Sequence, residues 1–146
     1  MNGSLTAGAS SLTLFQITRA VFDDICHLAF REYPLEMCGL IAGSAGDGTA
    51  EMFYPCKNIA ASAKVYTIDP KDHLTAELAA DDHDWEINGV VHSHTHSEPY
   101  PSPTDVAQAP DPDWCYLIVS LKRDAPELRG YRIVGGTVIE VALSVV

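Results

Sequence analysis

Apolar positions in this chain switch between two spacings, and the switches outline the elements. Residues 12–17 alternate well enough for a first strand. Val21, Phe22, Ile25, Cys26, Leu28 and Ala29 then recur at helical spacing. They predict a helix from Arg19 to about Glu32, with Thr18 as its cap and Pro34 as its stop. Residues 38–42 form a short apolar strand, and residues 43–48 a glycine-marked hairpin turn. These glycines do not make a phosphate loop, because neither a Lys-Ser or Lys-Thr pair nor a helix follows them. Residues 51–56 read as the returning strand, with Pro55 near an edge or an end. Residues 64–68 read as another strand. Asp69 caps a second helix that has Pro70 at its first position and runs to about Asp82, turning Leu74, Leu78 and Ala79 inward. Residues 87–94 form the central strand. Residues 114–121 are nearly all apolar, as in a strand buried on both faces. Residues 128–134 and 137–145 pair across Gly135-Gly136, a type I′ hairpin signal.

Strands and helices in this order predict an α/β fold: a single three-layer domain with a mixed central sheet flanked by helices. A chain of 146 residues suits one such domain. Residues 1–11 read as a flexible N-terminal tail and residues 12–146 as the domain. The tail lacks the basic and apolar regions of a signal peptide, and no apolar run is long enough for a membrane span. The expected location is the cytoplasm. Nine basic residues against twenty acidic ones give a formal charge of -11, which leaves no basic footprint for nucleic acid. Cys26, Cys38, Cys56 and Cys115 include no C-x-x-C pair, so they read as reduced thiols and not as a zinc ribbon. Cys38 reads as a small core residue, not a nucleophile.

The chemistry concentrates in residues 92–105. His92 and His94 lie two apart at the end of the central strand and therefore share one of its faces. Pro99, Pro101 and Pro103 then break the strand. Ser102 reads as the cap of a short helix, with Pro103 at its first position and Asp105 in its first turn. From there Asp105 can close back on the two imidazoles. Two His and one Asp leave a fourth tetrahedral position free, as catalytic zinc requires. The same Ser-x-x-Asp can be a plain capping box with no metal. Asp81, Asp82, His83 and Asp84 sit at a helix end and read as a solvated acidic turn.

His92, His94, Ser102 and Asp105 fill all four positions of a His-x-His, seven residues, Ser, two residues, Asp pattern. In this the chain resembles the JAMM (MPN+) metalloproteases, from about Val21 to Val141. Glu36, in Glu-Met-Cys-Gly-Leu, stands where that family carries a glutamate. His92-Ser93-His94-Thr95, Tyr100-Pro101-Ser102 and the segment 128–133 are similar to the actinobacterial type that releases cysteine from a sulfur-carrier protein. Thr95, where many relatives carry proline, alters the loop but removes no ligand.

The resemblance implies a JAB/MPN, cytidine deaminase-like fold and Zn2+ held by His92, His94 and Asp105. It implies Glu36 as general base, beside the attacking water and off the metal, and Ser102 as donor to the developing oxyanion. The implied reaction is hydrolysis of an amide or isopeptide bond at the C-terminus of a ubiquitin-like sulfur carrier protein, releasing cysteine. A general JAMM isopeptidase or small-amide hydrolase is the alternative within enzymes. A non-catalytic MPN scaffold is the alternative of another class. His96 stays open between a group supporting the ligands, a substrate contact and a surface histidine.

Overall fold

The computed structural model describes residues 13–146. The expected tail, residues 1–11, lies outside the described residues, as does residue 12 of the first strand. The chain runs β1 (Leu14–Ile17), α1 (Arg19–Glu32), β2 (Cys38–Gly43), β3 (Thr49–Ala50), β4 (Met52–Cys56) and α2 (Pro70–Asp81). It continues through β5 (Glu86–His94), α3 (Pro103–Ala107), β6 (Cys115–Ser120), β7 (Glu127–Val134) and β8 (Thr137–Val145). The strands form one sheet in the order β3-β1-β8-β7-β6-β5-β2-β4. The sheet is mixed, as expected: β5 runs parallel to β6 and antiparallel to β2.

Two separate cores explain the three layers. On one face, Val21, Ile25, Leu28 and Ala29 of α1 pack on Ile17, Ile41, Val91, Leu117 and Val119. The Thr18 hydroxyl caps this helix by accepting from the Val21 N–H at 3.1 Å. On the other face, Leu40, Val90, Tyr116, Ile118 and Tyr131 pack beneath Ala76 of α2 and Val106 of α3. Strand β6 divides its side chains between the two cores and is buried at every position, which is why its sequence is almost uninterrupted apolar. Gly135 and Gly136 both take positive φ, 56° and 83°, as the predicted type I′ turn between β7 and β8 requires.

Three expectations need correction. Residues 64–68 form no strand; only an isolated bridge joins Asn58 to Ile68. The Asn58 side chain replaces the ladder: its amide donates to the Val65 carbonyl and its oxygen accepts from the Ala60 and Thr67 N–H groups. Leu74 and Leu78 do not point inward; they are 57% and 59% exposed, Ala79 is half-buried, and Ala76 and Ala80 face the sheet. Positions two apart on a helix lie on opposite sides, so α2 can bury the alanine pair or the leucine pair but not both. The small pair is the one that lets the helix approach the sheet closely. The third difference is β3, a two-residue strand that pairs parallel with β1 and lies between the predicted turn, 43–48, and the predicted strand, 51–56.

Candidate metal centre

The site lies at the carboxyl end of β5, beside its parallel neighbour β6, where open α/β sheets commonly bind ligands. Val91 and Ser93 point toward the α1 face, so Val90, His92 and His94 point toward the opposite one. Both imidazoles are buried, at 3% and 4% exposure. Leu121 N–H bonds to the His94 carbonyl at 2.9 Å and holds the strand end. The chain then turns through the proline-rich segment into α3, which delivers Asp105.

The capping box is present, and the three candidate donors lie together. Ser102 Oγ accepts from the Asp105 N–H at 3.0 Å, and Asp105 Oδ2 accepts from the Ser102 N–H at 2.9 Å. The same Oδ2 lies 3.1 Å from Nε2 of His92 and 3.1 Å from Nε2 of His94. The two Nε2 atoms are 3.2 Å apart. Three donors thus form a near-equilateral triangle. Ligands at about 2.0–2.1 Å from a tetrahedral zinc stand about 3.3–3.4 Å from one another, so this triangle is close to one face of such a site. Among the described residues, these three form the cluster that could hold a metal ion.

Neighbouring groups orient the rings. His94 Nδ1 lies 2.7 Å from the Glu98 carbonyl and donates to it, which turns Nε2 toward Asp105. Tyr66 stacks on His92 with ring centroids 4.4 Å apart. The loop after His94 is fixed by Ser120 Oγ donating to the Ser97 carbonyl at 2.6 Å and by Tyr131 O–H donating to the Pro99 carbonyl. Glu98 also pairs with Lys122 and Arg123. Burial would raise Asp105, but the two imidazoles and the Ser102 N–H hold its carboxyl well below the usual range. Burial drives His92 below the ordinary histidine value; at His94 burial acts the same way, but the hydrogen bonds to Asp105 and Glu98 raise it.

Glu36 stands between α1 and β2 and is 4% exposed. Its Oε1 is buried without a hydrogen-bond partner. Burial pushes its carboxyl up to about 8, with the His94 charge opposing and the Asp105 charge adding to the shift. Glu36, His94 and Ser102 line one cavity of about 280 Å³, together with Ala63, Lys64, Thr95, His96 and Ser97. His96 is partnered: Nε2 lies 3.2 Å from the Tyr33 hydroxyl and Nδ1 lies 3.0 Å from Thr95 Oγ1.

Three residues that build this site carried no signal in the sequence pattern. Ser93 is fully buried between the two histidines; its Oγ accepts from Met37 N–H at 2.8 Å and its N–H donates to the Met37 carbonyl, docking the Glu36 segment onto β5. Asn58 donates to the Glu36 carbonyl at 3.0 Å, while Glu36 N–H donates to the Ser62 carbonyl at 2.8 Å. Tyr66 supplies the ring over His92. The Asp81–Asp84 turn is exposed and far in the fold from this site, at the end of α2, where His83 stacks on Trp85.

A mixed sheet between helices, with two histidines and an aspartate gathered at a strand end, defines a hydrolase of the JAMM type. The chain belongs to the family described as prokaryotic homologs of the JAB domain, whose model matches residues 18–134. It is 40% identical over 119 residues to a CysO-cysteine peptidase of Mycobacterium bovis, covering 81% of this chain and 82% of that one. It is 36% identical over 88 residues to a desampylase of Haloferax volcanii, covering 60% of this chain and 63% of that one. The solution structure of a protein from Desulfitobacterium hafniense matches with a TM-score of 0.81 at 29% identity, covering 90% of this chain and 92% of that one.

Proposed function

We propose that this chain is a zinc peptidase that cleaves the amide bond joining a C-terminal cysteine to a ubiquitin-like sulfur carrier. The observation that carries the reading is the buried triangle of Nε2, Nε2 and Oδ2 atoms, with Glu36, one of whose oxygens is buried and unpartnered, lining the same cavity as His94. Neutral imidazoles and a carboxylate suit zinc. When bound there, zinc supplies Lewis acidity and makes an attacking water more acidic.

The residues of the chain then have separate tasks. His92, His94 and Asp105 hold the ion. Glu36, largely desolvated, takes a proton from the attacking water and returns it to the leaving amine as the C–N bond breaks. The Ser102 oxygen is occupied as an acceptor by the cap, which leaves its O–H free to donate to the carbonyl oxygen as that oxygen becomes negative. The similarity to a CysO-cysteine peptidase over most of both chains supports the substrate. The similarity to a desampylase favours a second reading, a broader isopeptidase with the same chemistry.

The test is Glu36→Gln. It should keep one zinc per chain and the fold of the parent, yet lose on the order of 10²–10⁴ of turnover on a carrier–cysteine adduct. Undiminished hydrolysis would remove Glu36 from the mechanism. A wild type that takes up no zinc from a metal-replete buffer would return the chain to the scaffold reading.

A further inference from the structure

The cavity beside Glu36 is lined by a lysine that the proposed reaction leaves unused. Lys64 lines it together with Glu36, His94, His96 and Ser102. The ammonium group forms no ion pair with the described residues, whereas Lys122 and Arg123 are tied to Glu98, and Arg129 to Glu127 and Glu140. Lys64 is the single lysine or arginine of this cavity lining, in a chain whose net charge is -11. A negatively charged group approaching such a chain is repelled except where a local cation offsets the field.

The position of Lys64 identifies the half of the substrate it would meet. The loop bearing it is fastened to Glu36: Glu36 N–H donates to the Ser62 carbonyl, and Asn58 joins the Glu36 and Val65 carbonyls through one amide. Ser62 Oγ in turn accepts from the Lys64 N–H at 3.0 Å. Lys64 therefore sits on a loop tied to Glu36 and, through Thr95 Oγ1 donating to the Ala63 carbonyl at 3.4 Å, to the segment after His94, and it lines the cavity beside Glu36. Glu36 is the group that hands a proton to the leaving amine, so this side receives the leaving residue, while Ser102 faces the acyl oxygen. His96, which Tyr33 and Thr95 hold in place, lines the same cavity. About 280 Å³ is at the small end of ligand cavities. It suits one amino-acid residue better than the flank of a folded protein.

We infer that Lys64 is a specificity residue that binds the α-carboxylate of the leaving residue, so that the enzyme removes a C-terminal amino acid. This rests on the reaction proposed above and narrows it. An isopeptide leaving group is a lysine side chain within a protein and brings no carboxylate to this point. A free C-terminal residue always does, one carbon away from the amine that Glu36 protonates. The ammonium is matched to that anion as a flexible point charge.

The experiment compares two substrates: a ubiquitin-like carrier extended by one C-terminal cysteine, and the same adduct prepared as its C-terminal amide. Wild-type enzyme should favour the free acid by about tenfold in kcat/KM, chiefly through KM, the scale of one charge-assisted contact. Lys64→Met should reduce that preference to near unity by raising KM for the acid, Lys64→Glu should invert it, and Lys64→Arg should restore most of it. Equal losses on acid and amide in Lys64→Met, or no preference in the wild type, would overturn the assignment. Binding of both adducts to the Glu36→Gln protein gives the same ratio without turnover. Absent hydrolysis by the wild type would then sink the proposed reaction, while the acid-to-amide binding ratio would still decide the role of Lys64.

Discussion

Glu36 is a carboxylate that the fold buries, leaves with one unpartnered oxygen and pushes up to about 8. A group whose pKa is raised by folding favours the native state only while protonated. Its contribution is intact below the ordinary value of 4.5 and is lost as the pH rises through about 8. Glutamine does not ionise, and the His92–His94–Asp105 cluster is common to both proteins. The difference in melting temperature between metal-stripped wild type and Glu36→Gln therefore reports Glu36 together with its coupling to His94 and Asp105. Between pH 5 and pH 8 the wild type should lose several degrees relative to the variant, read by thermal unfolding at both pH values. A loss of the opposite sign would contradict the burial that the geometry assigns to Glu36. The clustering of His92, His94 and Asp105 was legible in the sequence because they are close together in the chain: spacing alone puts His92 and His94 on one face, and the proline-bounded Ser102-x-x-Asp105 cap returns Asp105 to them. Ser93, Asn58 and Tyr66 were not legible, because each acts on a partner far away in the sequence. The Met37 N–H and Ser93 Oγ meet across 56 positions, and no local pattern announces such a contact.

At the scale of elements, the informative departures are the loop 57–69 and α2. The apolar alternation at 64–68 fits a strand, but one asparagine takes up the backbone groups that a ladder would have used. The competing side-chain bonds prevail over the period. Asn58→Ala should thus loosen the loop that carries Ser62, Lys64 and Tyr66. Stability should fall by about 1–3 kcal/mol, the cost of orphaned hydrogen-bonding groups. Turnover should fall further than zinc content, since the three ligands lie on other elements; denaturant unfolding, kinetics and metal analysis on one preparation would separate these effects. In α2 the periodicity was sound and the choice of face was reversed, because the leucines look like the core pair when the depth of the neighbouring sheet is unknown. Leu74→Ala should leave stability within about 0.5 kcal/mol. Ala76→Leu, at a position 2% exposed, should cost about 1–3 kcal/mol by overpacking. Equal effects of the two in urea titrations would mean that α2 presents the other side.

Across the whole molecule, the site is a junction. β5 contributes two donors from the centre of the sheet, α3 contributes the third, and the loop between them is fastened to β6 and β7 through Ser120 and Tyr131. The α1 core lies on the opposite face and shares no residue with the site. An ion held by the triangle would therefore pin α3 and its loop to the sheet, adding stability that the apolar cores do not provide. Ligand linkage sets its size: free zinc at a thousandfold over its dissociation constant adds about 4 kcal/mol to folding. For a chain of this length, each kcal/mol moves the melting temperature by about 2–4 °C. Chelation should then lower the melting temperature by roughly 10 °C, with zinc restoring it. The shift should shrink in acid, because zinc competes with protons for the imidazoles and Asp105. His92→Ala, which removes a donor while leaving α3 and its cap in place, should show almost no difference between chelated and zinc-loaded samples. Scanning calorimetry of both proteins at pH 7.5 and pH 5.5 decides the point: a chelator shift of equal size in His92→Ala would place the bound ion somewhere other than between β5 and α3.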